Sequence, residues 1–386
     1  MSLATRRVHS GLTILGCFSG GSLYGWSGYM PAAREQFAVN AASASMVFSL
    51  ALVSFTLGVL LGPYLLARIP TRDRLPLLAA LAVIALGSAG ASMGFLGFVV
   101  SYGLCFGFLA GAFYNHAISA ATASGSATVL VPVSVAAFGL GGAVFGPTSV
   151  WLTASGWALW SLAPALVCFA IVAVLALIVR PLSAPEKAAH LRMKPMAKPD
   201  KTIVRLGIIF ATGSCSGLIV MGFASQILPR GADGVALASL AIFWAAVGNT
   251  LGRLSCAVSA GRFGPARAVA GAMGLSMISL CGLIFFETPG AIVGLLFLVA
   301  FAYGHLAATM PLLVKARVTA SAFSSSFGWV FIGWGVAGLI GPWSAGWLKD
   351  TTGTLQIALV ICVALCGLGL WLVSGFIKSD KPSEDC

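Results

Sequence analysis

Twelve long apolar stretches dominate the sequence of 386 residues, and charged residues are almost confined to the breaks between them. A helix that crosses a bilayer needs about 20 mainly apolar residues. We therefore predict spanning helices near residues 11–31, 42–66, 76–95, 97–120, 128–152, 160–179, 204–228, 236–260, 267–286, 289–313, 322–347 and 355–377. Only 8% of the residues are charged and 59% are hydrophobic, which excludes a water-soluble enzyme, a disordered protein and a secreted disulfide scaffold. The sequence predicts an all-α membrane protein with twelve transmembrane helices.

A polar stretch between the sixth and seventh predicted spans divides the chain into two groups of six helices. Its Pro, Lys and Ala content is typical of a flexible linker. We predict an N-terminal six-helix bundle over 1–180, a cytoplasmic linker over 181–203, a C-terminal bundle over 204–378 and a cytoplasmic tail over 379–386.

The basic residues indicate the orientation of the chain. Of the 22 Lys and Arg residues, 18 fall on one side of the predicted spans, three on the other and one within a span. The positive-inside rule then places both termini in the cytoplasm and the protein in the plasma (inner) membrane. Topology thus accounts for the net charge of +12, and the expected partner is the lipid bilayer rather than a nucleic acid.

Short motifs recur six spans apart. The segment FGLGGAVFGP at 138–147 resembles GWGVAGLIGP at 333–342, and Tyr114-Asn-His116 resembles Tyr303-Gly-His305. This order predicts two parallel six-helix repeats, and transporters built in this way hold their substrate near the bilayer midplane. The Gly-Pro pairs at Gly146-Pro147 and Gly341-Pro342 are candidate hinges.

Arg253 is the one permanent charge inside a predicted span, and no Asp or Glu lies in any of the twelve. A buried Arg costs about 2.5–3.5 kcal/mol on insertion scales, so intramembrane charges are usually functional. We expect Arg253 to bind an anionic substrate, because its guanidinium matches a carboxylate with two parallel hydrogen bonds. The alternative is a structural Arg that reaches toward the cytoplasm or binds backbone carbonyls.

Five other side chains are candidates for substrate binding. Tyr and Trp combine an apolar body with a polar tip, which suits a small organic anion. The candidates are Tyr24, Tyr114, Tyr303, Trp334 and, one turn before Arg253, Asn249. Helix packing is the alternative for the aromatic residues, and an interhelical hydrogen bond is the alternative for Asn249.

His116 and His305 are candidates for proton coupling, because histidine titrates near neutral pH. A buried neutral histidine bonded to a carbonyl is the alternative interpretation. The cysteines are interpreted as packing residues, and no metal or cofactor is expected. Since no nucleophile, base or metal ligands converge in the spans, we do not expect an enzyme.

The sequence resembles the major facilitator superfamily over essentially its whole length. The loop after the second span carries a basic motif in that superfamily, and Arg68 and Arg72 match it here. Arg262 matches the corresponding loop after the eighth span. Both loops lack the acid of the family motif. The resemblance implies that these loops control the conformational cycle, and the missing acids put one of its charge interactions in doubt.

Within the superfamily the chain is most similar to the oxalate:formate antiporters and their monocarboxylate-transporter relatives. The resemblance rests on LYGWSGYMP at 23–31, FSL at 48–50, AFYN at 112–115, GNTLGR at 248–253 and FGWVF with a later GP at 327–342. It implies that Arg253 contacts the substrate carboxylate. The resemblance matches Trp334 to a Lys of the oxalate exchangers, and the loss of that cation favours a monocarboxylate over a dicarboxylate.

The sequence therefore predicts a monomeric secondary carrier for a small organic anion, with proton symport or anion exchange. Two alternatives stay open at this stage. One is an exporter of a hydrophobic compound or drug, in which Arg253 is structural. The other is a membrane sensor that keeps the carrier fold without transporting.

Overall fold

The computed structural model describes residues 3–123, 127–179, 198–228, 234–319 and 322–377. Every regular element in these ranges is helical, which confirms the all-α prediction. Residues 181–197 of the predicted linker and the whole predicted tail, 379–386, lie outside the described residues. The chain forms two compact units, Met1–Val39 with Leu50–Pro195 and Asn40–Ser49 with Met196–Cys386.

The first six predicted spans are built from eight α-helices, two 3₁₀ segments and one π-helical segment. The α-helices are α1 Leu3–Gly20, α2 Trp26–Phe37, α3 Ala41–Leu66, α4 Thr71–Gly90, α5 Phe95–Phe98, α6 Gly107–Ala123, α7 Ala127–Ala154 and α8 Ala163–Ile178. A 3₁₀ segment, Gly21–Gly25, joins α1 to α2, and a π-helical segment, Val99–Phe106, joins α5 to α6. A second 3₁₀ segment, Ala158–Leu162, leads into α8.

Each of the last six predicted spans is one α-helix. These helices are α9 Lys201–Ile227, α10 Gly234–Phe263, α11 Pro265–Phe285, α12 Pro289–Lys315, α13 Phe323–Thr352 and α14 Gln356–Ile377. Residues that begin and end helices explain several boundaries. Asp200 accepts a 2.8 Å hydrogen bond from the Ile203 amide at the start of α9. Gly353, with φ of 78°, ends α13 in the left-handed conformation that favours glycine.

Ten helical segments within the described ranges are long and apolar enough to cross a membrane. The other two predicted spans, 11–31 and 322–347, correspond to α1 with α2 and to α13. The first begins at Leu3 rather than near residue 11. The predicted order of twelve spans is thus found in the structure.

Glycines bring two helices of the first unit into backbone contact. A Cβ atom added to Gly58 of α3 would collide with the Phe108 carbonyl oxygen, and one added to Gly111 of α6 would collide with that of Phe55. Small residues permit such close crossings in membranes. The second and fourth spans therefore cross without intervening side chains.

The eighth and tenth spans cross in the same way in the second unit. A Cβ atom added to Gly252 of α10 would collide with the carbonyl oxygen of Phe301, and one added to Gly304 of α12 would collide with that of Asn249. Gly248 likewise leaves no room for a side chain against Phe297. We call this contact of Gly248, Gly252 and Gly304 the glycine seam.

The start of α3 is held by the end of α13 within the second unit. The two carboxylate oxygens of Asp350 accept hydrogen bonds from the amides of Ala41 and Ala42, at 3.0 and 2.7 Å. The Asn40 side chain accepts a further bond from the Ser43 amide at 2.9 Å. An anion at a helix N-terminus is stabilised by the unpaired amides and the helix dipole. Asp350 is therefore a long-range helix cap.

Candidate functional site

Arg253 lies on α10 beside the glycine seam. Its side chain is half-buried, and its Nε donates a 3.0 Å hydrogen bond to Oδ1 of Asn249, one turn earlier. This bond uses the inner edge of the guanidinium, while the two terminal nitrogens carry its remaining N–H groups. Asn249 thus holds the guanidinium of Arg253 from within the same helix, and substrate binding by the two residues remains a prediction.

Asn249 is fully buried, and its Nδ2 makes no hydrogen bond with the described residues. Because Arg253 already bonds to its Oδ1, Asn249 has only its Nδ2 donor left for another partner. A buried donor without a partner costs about 1–3 kcal/mol. Such a group beside an intramembrane Arg has the chemistry of a second donor to a carboxylate.

Tyr303 and Trp334 meet in the interior of the second unit. Trp334 Nε1 donates a 2.9 Å hydrogen bond to the Tyr303 hydroxyl, and both side chains are buried. The indole ring of Trp334 stacks on Phe331, with ring centroids 5.3 Å apart. The Tyr303 ring occupies the space that the missing side chain of Gly217 leaves on α9. The two predicted site residues are therefore joined into one polar pair across α12 and α13.

His305 lies two residues after Tyr303 and faces α10. Its Nδ1 is 2.8 Å from the Ser255 hydroxyl, and its Nε2 is 2.9 Å from the Ser259 hydroxyl. The ring is buried and stacks on Phe301. Both ring nitrogens thus lie within hydrogen-bonding distance of serine hydroxyls, and the role of His305 in proton coupling remains a prediction.

Ser255 and Ser259 were not among the residues predicted from the sequence. They lie one turn apart on α10, and Ser255 follows Arg253 by two residues. This spacing was a weak signal, because serine at i and i+4 is frequent in apolar helices. Only the crossing of α10 with α12 shows that both hydroxyls face the same imidazole.

The aromatic candidates of the first unit form a separate cluster. The Tyr24 ring packs edge-on against Phe138 at 5.2 Å, and the Tyr114 ring packs against Phe138 and Phe55 at 5.3 and 5.6 Å. Tyr24 is buried and Tyr114 is half-buried. Their substrate contact remains a prediction.

The repeat-related histidine of the first unit has different surroundings. His116 Nε2 is buried and makes no hydrogen bond with the described residues, and its ring meets Phe113 edge-on. Its neighbour Asn115 donates a 2.9 Å bond to the Val59 carbonyl and accepts one from Ser119. The likeness of the two Tyr-x-His triplets therefore does not extend to their hydrogen bonds.

The basic loops are exposed in both units. Arg68 lies in the turn before α4 and Arg72 in its first turn, and Arg72 forms a 3.8 Å ion pair with the adjacent Asp73. Arg262 lies over the ring of Phe263 at the end of α10. These contacts are local to each loop, and the role of the loops in the conformational cycle remains a prediction.

Both candidate hinges lie inside continuous helices. α7 runs without interruption through Gly146 and Pro147, and α13 runs through Gly341 and Pro342. Gly146 packs closely against Gly25. Proline removes one backbone hydrogen bond from each helix, so these turns are weaker than their neighbours. Their bending remains a prediction.

The comparison with solved structures identifies the architecture. A variant of the nucleoside transporter NupG matches 98% of this chain and 100% of its own, with a TM-score of 0.71 and 14% sequence identity. The chain has the major facilitator fold. No protein-family model matches the sequence, and no curated protein is similar to it. At this sequence identity the likeness shows the fold alone and does not indicate the substrate.

Proposed function

We propose that this chain is a secondary carrier that moves a small organic anion, a monocarboxylate, across the membrane by alternating access. The observation that carries the proposal is Arg253, a half-buried guanidinium held by Asn249 in a set of predicted spans without Asp or Glu. A cation at this depth is stabilised by a bound anion.

The surroundings of Arg253 suit a single carboxylate with a short organic part. The guanidinium offers the bidentate fork, and the Asn249 amide supplies one more donor. The Tyr303–Trp334 pair of the second unit is a further candidate contact, because it joins a hydroxyl and an indole N–H on a large apolar surface. Tyr24 and Tyr114 are the corresponding candidates of the first unit. One intramembrane cation balances one negative charge, which favours a monocarboxylate over a dicarboxylate.

The remaining features of the proposal follow the sequence. The carrier would act as a monomer in the plasma (inner) membrane, with both termini cytoplasmic, and would use proton symport or anion exchange. A nucleoside is the second candidate substrate, since the structurally similar NupG is a nucleoside transporter. A neutral nucleoside would have no charge to pair with Arg253.

The test is uptake into proteoliposomes of radiolabelled formate, pyruvate, oxalate and uridine. Protein-free liposomes measure passive entry of the weak acids. Arg253→Lys keeps the charge and removes the planar fork, and Arg253→Ala removes both. Arg267→Lys on α11 is the matched control, because Arg267 is exposed and donates a long 3.5 Å hydrogen bond to the Phe263 carbonyl of its own loop.

We expect uptake of a monocarboxylate that Arg253→Ala abolishes, that Arg253→Lys lowers at least about tenfold, and that Arg267→Lys leaves intact. Uridine uptake that is insensitive to Arg253→Ala would replace the anion with a nucleoside. Monocarboxylate uptake at the wild-type rate in Arg253→Lys would remove Arg253 from the binding site.

A further inference from the structure

A cleft of about 580 Å³ opens between the start of α9 and the end of α14, both in the second unit. Its walls combine two cations with apolar side chains. Lys201, Val204, Arg205 and Ile208 line it from α9, and Trp371 and Leu372 line it from α14. The described residues that line the cleft include none of the candidate substrate-binding residues, so it is a separate feature of the molecule.

The α9 wall changes from charged to apolar along the helix. Lys201, Val204, Arg205 and Ile208 follow one another at intervals of three and four residues, which places them on one face of α9. Val204 and Ile208 are exposed despite their large apolar side chains. From Lys201 to Ile208 the helix rises by about 10 Å. Over that distance the face passes from two cations to an apolar surface.

The α14 wall follows the same order in the opposite chain direction. Trp371 is 70% exposed, and Leu368, one turn deeper in the span, is exposed on the same face. Gly375, one turn nearer the helix end, has no side chain, and the Arg205 guanidinium occupies the space that a Cβ atom there would need. Tryptophan is typical of the membrane interface, at the level of the lipid headgroups. The charged end of the cleft therefore lies at the interface, and its apolar end faces the lipid chains.

The Arg205 guanidinium is held against α14 and still has donors left. Its Nε and Nη2 both donate to the Leu372 carbonyl, Nε at 3.0 Å, and its central carbon lies 4.7 Å from the ring centroid of Phe376. A guanidinium carries five N–H groups. The hydrogen bonds of Arg205 to other described residues do not use Nη1, which can therefore donate to an external acceptor.

The charges around the cleft favour an anion. Asp200 is the one acid among the described residues that line it, and its carboxylate accepts the 2.8 Å hydrogen bond that caps α9. Within the described part of the chain, Asp200 forms no ion pair with Lys201 or Arg205. Arg317, after the end of α12, donates a 3.1 Å bond to the Phe376 carbonyl and lies 5.2 Å from its ring. Three cations are thus grouped with one acid, which the N-terminus of α9 already stabilises.

We propose that this cleft binds an anionic phospholipid of the surrounding leaflet. Lys201 and Arg205 bind the phosphate, and an acyl chain lies along Ile208 and Trp371. The two cations are one helical turn apart, with Cβ atoms about 5–6 Å from each other, so both can contact one phosphate. A soluble anion would leave the apolar walls unused, whereas a phospholipid uses both ends of the cleft. The inference does not rest on the proposed function, because it involves neither Arg253 nor its neighbours.

The test is native mass spectrometry of the full chain released from detergent micelles. Dioleoyl phosphatidylglycerol is the anionic probe, and dioleoyl phosphatidylcholine has the same chains with a zwitterionic headgroup. One cation near a membrane surface strengthens the binding of anionic lipid about fivefold. We therefore expect one phosphatidylglycerol to bind to the wild type at least about fivefold more tightly than phosphatidylcholine.

Two variants remove the cations one at a time. Lys201→Gln and Arg205→Gln should each weaken phosphatidylglycerol binding about fivefold and leave phosphatidylcholine binding unchanged. Arg267→Gln is the matched control, because it makes the same charge change at an exposed residue of α11 that does not line the cleft. Since Arg205 also bonds to the end of α14, its variant can lose folded protein. Lys201 is exposed, so Lys201→Gln is the deciding variant in that case.

A third variant should strengthen binding. Asn caps a helix about as well as Asp, so Asp200→Asn keeps the start of α9 and removes the one acid of the cleft. The affinity for phosphatidylglycerol should rise about fivefold, with no change for phosphatidylcholine. Cations that only stabilise helix ends would not produce this increase.

Three results would overturn the inference. One is equal affinity of the wild type for the two lipids. Another is phosphatidylglycerol binding that changes neither in Lys201→Gln nor in Asp200→Asn. The third comes from competition with millimolar inorganic phosphate, compared with sodium chloride at the same ionic strength. If phosphate displaces phosphatidylglycerol and the chloride does not, the site binds a soluble anion and not a lipid.

Discussion

Asn249 Oδ1 accepts a hydrogen bond of 3.0 Å from Nε of Arg253, one turn further along α10. The bond holds the guanidinium through its Nε, the nitrogen nearest the helix. It also means that the charge of residue 249 determines whether Arg253 can attract an external anion.

We expect Asn249→Asp to abolish monocarboxylate uptake, because the new carboxylate would neutralise Arg253 internally. Asn249→Ala should raise the KM roughly 10- to 100-fold, since a hydrogen bond to a charged group contributes about 1.5–3 kcal/mol. Initial rates of uptake over a range of concentrations measure both effects. Asn115→Ala, which removes an amide bonded to the Val59 carbonyl, is the control. Equal KM values for Asn249→Asp and wild type would contradict this reading of the pair.

The Tyr303–Trp334 hydrogen bond should be detectable as a coupling of stabilities. Trp334→Phe and Tyr303→Phe each remove one side of the bond, and the double variant removes both. Thermal unfolding of the three variants in detergent should give a coupling free energy of about 1 kcal/mol. Additive effects of the two substitutions would show that the contact does not stabilise the fold.

The glycine seam should be intolerant of a single methyl group. Gly252→Ala and Gly304→Ala would force the α10 and α12 backbones apart, at about 1–3 kcal/mol each. Gly294→Ala on the same α12 meets no neighbouring atom and should be neutral or slightly stabilising. The melting temperatures of the three variants check the expectation. A Gly252→Ala variant as stable as Gly294→Ala would mean that the helices are not in contact.

Loss of the long-range cap should expose the start of α3. Asp350→Asn keeps the shape and removes the charge, so the amides of Ala41 and Ala42 should lose about 1–2 kcal/mol of protection. Hydrogen exchange in the peptide that covers these residues should then be roughly tenfold faster. Glu287→Gln, in the loop between α11 and α12, controls for the change of net charge. Unchanged exchange would show that the carboxylate is dispensable for the helix start.

Most helices could be predicted from the sequence, because charges, prolines and glycines mark the ends of apolar stretches. α10 was expected near 236–260 and spans Gly234–Phe263. The π-helical segment Val99–Phe106 and the 3₁₀ segment Gly21–Gly25 could not be foreseen, since both depend on tertiary packing. They change the winding of a helix without changing its composition.

Part of the candidate site could be predicted from the sequence. Arg253, Asn249 and His305 are conspicuous because polar groups are rare inside apolar stretches. The serine partners of His305 are not, since Ser255 and Ser259 lie 50 and 46 positions from it along the chain. Such pairings depend on how far one helix is shifted along another, and hydropathy does not record that shift.

The contact of Gly252 with Phe301 and of Gly304 with Asn249 has a mechanical consequence. Two backbones that touch at successive turns cannot slide or roll past each other without collision. The helices α10 and α12 must therefore move as one rigid unit. Side chains on the crossing segments of α10 and α12 then keep their positions relative to one another whenever either helix moves.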